Sequence, residues 1–570
     1  MRRLFAIFLV CVLCVQPAQT AAPAPVSSQN GMVVSAHRLA SQAGIAVLKD
    51  GGNAIDAAIA VAYALAVTFP EAGNLGGGGF MTIRLADGTE RFIDFRETAP
   101  ALARPDLYLD SKGDVIEGLS TRGWRAVAVP GTVAGLELAR RTYARLPRAR
   151  LMAPAIALAR HGFVLDAGDA GFLASGAEDF ARDRASAAIF LNRGQPWKAG
   201  ERLVQKDLAR TLTFISHEGA KGFYTGDIAG RIVAASRAGG GILSLSDLAD
   251  YRAVEREPLT CDYRGYRIIS APPPSSGGMV ICQTLGVLSG FPMDSLGFHS
   301  AQSVHLSVEA LRRAFYDRNT RLGDPAFVDV DAARLISPEH VGAQRALIDP
   351  EKATPSLSLG RIGSGREGMN TTHLSVVDRH GNAVSLTYTI NDWFGARVTA
   401  GGVGILMNNE MDDFTAKPGV PNMFGLVEGP NNAIAPGKRP LSSMSPTIIT
   451  KDDALFMVIG TPGGSRIPTA LVQVISNVID HGMTITEAVN APRFHAQWLP
   501  DVVYSERHGL SADTLAILSA RGHVIEPMPY WNQVAAILVG APGIGQEPQG
   551  QDRYYGALDP RLPTGSVEGY

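Results

Sequence analysis

Three alternating strand pairs, each turning over a short polar link and set between helical stretches, constrain the fold of this chain most. The first pairs residues 80–85 with 91–95 around Asp87-Gly88, and Asp-Gly between alternating runs is a strong hairpin signal. The second pairs residues 372–378 with 383–389 around His380-Gly381-Asn382. The third joins residues 447–450 to 455–459 through Lys451-Asp452-Asp453. Helices are predicted at about 36–49 and 54–67, where Gly51-Gly52-Asn53 ends one and caps the next. In the second of these, Ile55, Ile59, Ala62 and Ala66 recur at helical spacing, with Pro70 beyond the end. Residues 133–318 read as mostly helical, broken by Pro272-Pro273-Pro274-Ser275-Ser276-Gly277-Gly278, and further helices are predicted at 467–480 and 486–490. Helices, then hairpins, then helices again predict an α/β (α+β) protein with sheets sandwiched between helical layers. Residues 417–440 form the one long structureless loop, with five prolines after Lys417; a loop of that length inside a compact domain usually acts as a lid or binding segment.

Charge and composition exclude several classes. The 52 basic and 54 acidic residues nearly cancel, so nothing implies binding to nucleic acid or to an acidic membrane surface. Arg2-Arg3, the apolar run at 4–15 and the small residues at 18–24 read as a secretory signal peptide, assigned to residues 1–22. No later segment reaches the roughly 18 uninterrupted apolar residues of a membrane span. The mature protein is therefore expected to be exported, periplasmic or secreted, without a transmembrane segment. Cys11 and Cys14 leave with the leader, and Cys261 and Cys282 remain, either bridged or as a free buried pair.

Chemistry concentrates around Asn370-Thr371-Thr372-His373, where a strand begins after a Gly/Ser-rich run. A Thr within a chain is a poor nucleophile, but a cut before it would free an α-amine to serve as its base. If the second hairpin turns about His380, Thr389 faces Thr371 or lies within one residue of it. That is either an ordinary cross-strand pair or a hydroxyl that orients a nucleophile. Gly463-Gly464, between a strand and a helix, is either a tight turn or a pair of backbone N–H donors for an oxyanion. It is no P-loop, because no Lys follows. Gly363-Ser364-Gly365-Arg366-Glu367-Gly368 matches a dinucleotide fingerprint formally, but it neither follows a strand nor opens a helix. Arg96 is either a local ion-pair partner of Asp94 or Glu97, or a clamp for a ligand. The acids of Asn408-Asn409-Glu410-Met411-Asp412-Asp413 form a solvated turn or a cation site, and Ser442 and Ser443 a plain loop or hydroxyl donors. The His residues show no metal-ligand spacing and His373 reads as a structural neighbour, so neither metal nor cofactor is expected. Taken together, Arg96 with the two serines would satisfy a carboxylate, while Glu410 and Asp413 would hold an ammonium group. This describes a pocket for an amino-acid head group beside a Thr.

Those residues resemble the γ-glutamyltranspeptidase family of N-terminal-nucleophile hydrolases. The similarity extends from Gly51-Gly52-Asn53-Ala54-Ile55-Asp56-Ala57-Ala58 to Gly556-Ala557-Leu558-Asp559-Pro560-Arg561. Its most specific stretches are Thr371-Thr372-His373, Asn408 to Asp413, Pro440 to Pro446 and Gly460 to Ser465. The resemblance implies a four-layer αββα fold and self-cleavage between Asn370 and Thr371. A large subunit (23–370) and a small one (371–570) would then remain associated as a heterodimer. It implies that Thr371 takes the γ-glutamyl group of glutathione or a related donor, with Thr389 in support, and passes it to water or to an amino acid or peptide. Gly463 and Gly464 would bind the oxyanion; Arg96, Ser442 and Ser443 the donor carboxylate; Asn391, Glu410 and Asp413 its ammonium. Glu410 stands where some relatives have Gln, and Phe424 where some have Tyr. Asp392-Trp393 also differs from some relatives and would reshape the acceptor side. The competing readings are a glutaryl-cephalosporin-type acylase on the same fold, a poly-γ-glutamate-processing transpeptidase, against which the long lid argues, and a non-catalytic binding homologue.

Overall fold

Two seven-stranded antiparallel sheets lie face to face at the centre of the molecule. The computed structural model describes residues 22–360, 371–529 and 531–570. The leader assigned from the sequence, all but its last residue, falls outside them, as do Asn370 and the Gly363–Gly368 pattern. In the first sheet the strand order is Ser566–Gly569, Met32–Ser35, Thr372–Val377, Ala383–Thr389, Gly78–Arg84, Glu90–Asp94 and Val254–Arg256. In the second it is Val26–Ser28, Tyr554–Leu558, Ala535–Val539, Ala454–Gly460, Thr447–Lys451, Tyr266–Ser270 and Leu259–Tyr263. Helices Arg38–Lys49 and Ala54–Thr68 cover the outer side of the first sheet, and Gly277–Leu288, Arg466–Ile479 and Ile485–Asn490 cover the second. The result is the expected αββα sandwich. Segments on either side of residue 370 contribute strands to both sheets.

Period-two patterning explains how the central hairpin can be buried on both faces. Leu374, Val376, Val384 and Leu386 join the core beneath the helices. The alternate residues turn small hydroxyls toward the second sheet: Ser375 Oγ donates to the Ala535 carbonyl (3.1 Å) and Ser385 Oγ to that of Ile459 (3.0 Å). These two hydroxyls are tolerated between the sheets because each finds a backbone partner.

The helix boundaries follow local capping. The first helix starts at Arg38, two residues later than expected, because His37 is its N-cap and Nδ1 accepts from the Leu39 N–H. Asn53 caps the next helix in a reciprocal capping box with Asp56. The stretch read as mostly helical also contains the hairpin Leu259–Tyr263/Tyr266–Ser270. Its two-residue turn places Arg264 and Gly265 both at positive φ (50° and 82°), the backbone of a primed hairpin turn without the usual Asn or Asp. Cys261 and Cys282 are disulfide-bonded, tying that edge strand to helix Gly277–Leu288. Among the described residues, no helix is long and apolar enough to cross a membrane.

Candidate active site

Segments from across the chain converge on one cleft near the end of the central hairpin. Register places Thr372 opposite Tyr388, so its continuation sets Thr371 against Thr389. Both side chains are buried and line the cleft. Thr389 Oγ1 accepts the Asn391 N–H at 2.8 Å, which turns the chain at Asn391 (φ 75°) and brings that amide into the lining. Asn391 Nδ2 donates to the Asn409 carbonyl (3.1 Å), joining the hairpin to the acidic turn Glu410–Asp413. Asn408 holds that turn from below. Its Nδ2 donates to the Gly76 and Ala128 carbonyls, and its Oδ1 accepts from the N–H groups of Ala128 and Glu410.

Arg96 is fully buried at the end of the first hairpin. Its backbone is fixed by the Asp94 carboxylate, which accepts its N–H (2.9 Å), and by Tyr251 Oη, which donates to its carbonyl (2.8 Å). The guanidinium forms close ion pairs with Glu410 and Asp413, donates to the Pro440 and Leu441 carbonyls, and lies 3.6 Å from Glu97 Oε2. This corrects the local-pair reading in one respect: Asp94 binds the side chains of Arg256 and Arg439 instead. It also shows that the cation and the two acids, read from the sequence as opposite ends of a head-group pocket, contact one another directly. Buried charges of opposite sign within reach pair. Burial works against the Arg96 charge, but Glu410, Asp413 and Glu97 outweigh it and raise its pKa.

Three acids surround that single guanidinium, and burial raises two of them. Glu97 is pushed up to about 7 despite Arg96, and Glu410 rises well above the carboxylate range. Among the described residues, both oxygens of Glu97, Glu410 Oε2, Asp413 Oδ1 and Ser443 Oγ are buried without a hydrogen-bond partner. Orphaned buried polar groups call for an explanation, and those of Glu410, Asp413 and Ser443 belong to residues that line the cleft. Ser442 and Ser443 enter the lining from the strip before strand Thr447–Lys451. Ser442 is pinned there by its N–H to the Pro274 carbonyl and by two bonds from Ser276 to its own carbonyl.

The turn between strand Ala454–Gly460 and helix Arg466–Ile479 closes the cleft. Gly464 is in the lining, with Gly463 packed behind it. Their φ values, 135° and 55°, lie where side chains are strained. A Cβ on Gly464 would also come within 2.5 Å of the Phe424 ring. Phe424 belongs to the 417–440 loop, which is not a free flap: Glu428 pairs with buried Arg318, and Asp412 accepts the Met423 N–H (2.9 Å).

His373 lies on the same strand but is fully enclosed. Its ring nitrogens contact the Thr387 and Ser375 hydroxyls (2.8 and 3.0 Å), and burial lowers its pKa to about 3. Asp392 pairs with Arg397 (2.7 Å), and Trp393 packs on Phe69 and Phe172. Sequence reasoning missed Glu97 as a site acid and Arg318 as a lining residue. Helix Ala301–Arg321 buries Glu309, Arg312, Arg313, Asp317 and Arg318 together, and that density of charge on a covered helix was the available signal.

The model of the family described as Gamma-glutamyltranspeptidase matches residues 40–568. The chain belongs to the γ-glutamyltranspeptidase family. This family member is 56% identical over 551 residues to the glutathione hydrolase proenzyme of Pseudomonas sp. (strain A14), covering 96% of each chain. It is 47% identical over 549 residues to that of Escherichia coli (strain K12), covering 96% of this chain and 93% of the other. A cephalosporin acylase from Bacillus halodurans superimposes with a TM-score of 0.83 at 28% identity, over 98% of this chain and 99% of the other. Among the described residues of this transpeptidase-family chain, no group of His, Cys, Asp and Glu side chains is arranged to hold a metal ion.

Proposed function

We propose that this enzyme is a self-processing γ-glutamyltransferase and glutathione hydrolase. Thr371 Oγ attacks the Asn370 carbonyl carbon, the C–N bond breaks, and the nitrogen gains a proton to become the α-amine of Thr371. Water then hydrolyses the Asn370 ester, leaving segments 23–370 and 371–570. Because both segments supply strands to both sheets, the cut would not separate them.

In turnover the α-amine takes the proton of Thr371 Oγ as that oxygen attacks the γ-glutamyl carbonyl. An ordinary α-amine has a pKa of roughly 7.7–8.0, so a useful fraction is neutral near physiological pH. The Gly463 and Gly464 N–H groups stabilise the tetrahedral oxyanion and Thr389 steadies the nucleophile. The amide C–N bond then breaks, the leaving nitrogen takes the proton, and a γ-glutamyl ester remains on Thr371. Water, an amino acid or a peptide attacks that ester. Arg96, Ser442 and Ser443 receive the donor carboxylate, and Asn391, Glu410 and Asp413 its ammonium. Binding thus inserts a zwitterion between charges that otherwise pair with each other.

One observation carries this reading. Residues from segments spread between Arg96 and Ile467 meet at one cleft, where buried carboxylate oxygens lacking partners stand beside a guanidinium and a Thr. An acylase of glutaryl side chains would have no ammonium for those oxygens. Export follows from the leader and agrees with the Cys261–Cys282 bridge, a bond that persists in oxidising compartments.

The test is turnover of a γ-glutamyl anilide and a glutaryl anilide, each with and without glycylglycine, on protein checked for two fragments by gel. Two fragments, a strong preference for the γ-glutamyl compound and acceleration by glycylglycine are expected. A full-length, inactive protein would refute the proposal, and a preference for the glutaryl compound would establish the acylase reading.

A further inference from the structure

The glycine turn is gripped from behind by a residue outside the cleft lining. Asn532 is buried (4% exposed) in the segment leading into strand Ala535–Val539. Its Nδ2 donates to the Pro462 carbonyl at 2.5 Å, and the N–H of the next residue, Gln533, donates to Thr461 Oγ1 at 3.0 Å. The Asn532 amide occupies the space over Gly463 that a Cβ would need. Asn532 itself sits at φ 61°, a left-handed position that Asn, Asp and Gly accept with little strain.

The hydrogen bond to Pro462 matters because of peptide geometry. The Pro462 carbonyl and the Gly463 N–H belong to one planar trans unit, so they point in opposite directions. Holding the oxygen toward Asn532 turns the N–H away from it. Thr461 Oγ1 also donates to the Pro462 carbonyl (2.9 Å), and Asn532 adds a grip from the facing segment against the rotation that Gly463 would allow. We propose that Asn532 is a positioning residue, whose side-chain amide fixes the Pro462–Gly463 peptide plane and thereby aims the Gly463 N–H at the developing oxyanion. The proposal rests on the reading of Gly463 and Gly464 as oxyanion donors.

Two variants test it. Asn532→Gly keeps the left-handed backbone and removes the donor. Asn532→Asp keeps the shape but sets a carboxylate against the Pro462 carbonyl. With rates of γ-glutamyl anilide hydrolysis normalised to the fraction of chains cut, both should lose kcat by about 10- to 100-fold, the scale of a displaced oxyanion donor. KM should stay within about twofold, because donor binding does not use this peptide. A protonated Asp regains an O–H donor, so kcat of Asn532→Asp relative to wild type should rise as pH falls, whereas that of Asn532→Gly should not.

Wild-type kcat in Asn532→Gly would overturn the proposal and leave a backbone role only. So would a loss confined to KM, or an Asn532→Asp ratio that does not change with pH. If Asn532→Asp fails to fold, Asn532→Gly decides alone. A wild-type enzyme unable to hydrolyse the anilide would instead refute the parent functional reading, so the two failures are distinguishable.

Discussion

Replacing Arg96 with Met should do more than weaken donor binding; it should make the folded protein sensitive to alkali. Arg96 is the shared counter-ion of Glu410 and Asp413 and lies 3.6 Å from Glu97, and the side chains of Arg96, Glu97 and Glu410 are almost wholly shielded from water. Removing one partner of a buried ion pair costs about 3–5 kcal/mol, because the charge left behind has lost its compensation. The acids can avoid part of that penalty by taking protons. Glu97 already rises from 4.5 to about 7 through burial, with Arg96 as the largest opposing influence, and Glu410 is also raised. Without Arg96 both must climb further.

The sign of the pH dependence follows. For a carboxyl whose folded pKa exceeds its unfolded value, both states hold the proton at low pH and no penalty exists. As pH rises past the unfolded pKa, the unfolded chain releases a proton that the folded chain retains, and stability falls until the folded pKa is passed. The deficit of Arg96→Met relative to wild type should therefore be small from pH ~5 to pH ~7, where wild-type Glu97 also holds its proton, and grow from pH ~7 to pH ~9 toward about 3–5 kcal/mol. Thermal melts of both proteins across that range measure it. Arg96→Lys should recover much of the stability but not the donor KM, since an ammonium cannot reproduce a fork that reaches Glu410 and Asp413 together. A deficit that is flat with pH, or that grows toward acid, would refute the charge argument.

Thr371→Ala should run on a denaturing gel as one uncut chain and show no anilide turnover. Gly464→Ala should lose at least about tenfold in kcat, since φ 55° strains Ala and its Cβ meets the Phe424 ring. Adding Phe424→Ala should restore part of the loss, read from the kcat of the double variant. Replacing Cys261 and Cys282 with Ser opens a link spanning 21 residues and should lower stability by about 3 kcal/mol. Melts of the variant and of reduced wild-type protein measure that effect.

The sequence was most informative where a local rule carries the structure. Alternation and a Gly-bearing turn defined the central hairpin, and a turn about His380 sets Thr389 at or next to the position facing Thr371, in agreement with the register. The hairpin at 259–270 was hidden because Arg264-Gly265 takes the primed-turn backbone without the residues that usually announce it. Side-chain pairing across 314 residues, as between Arg96 and Glu410, has no local signature, so the neighbours Asp94 and Glu97 looked like the natural partners. Glu97, Arg318 and Asn532 were missed for the same reason. Each is a single residue whose role arises from what tertiary folding sets beside it. The Cys pair was undecidable from spacing alone, because bridging depends on where one strand edge meets one helix.

The cleft also constrains the identity of the base. His373, the nearest imidazole in sequence, has both nitrogens engaged by hydroxyls and is enclosed away from the cleft, so it cannot approach Thr371 as a proton acceptor without breaking the inter-sheet layer. Among the described lining residues the ionisable acceptors are Glu410 and Asp413, and both are bound to Arg96. In the proposed function both are reserved for the donor's ammonium. Asn, Ser and Thr side chains make up the other uncharged polar lining, none basic enough to deprotonate a hydroxyl. In the proposed reaction the α-amine freed by cleavage before Thr371 serves as the base of turnover, on the nucleophile's own residue.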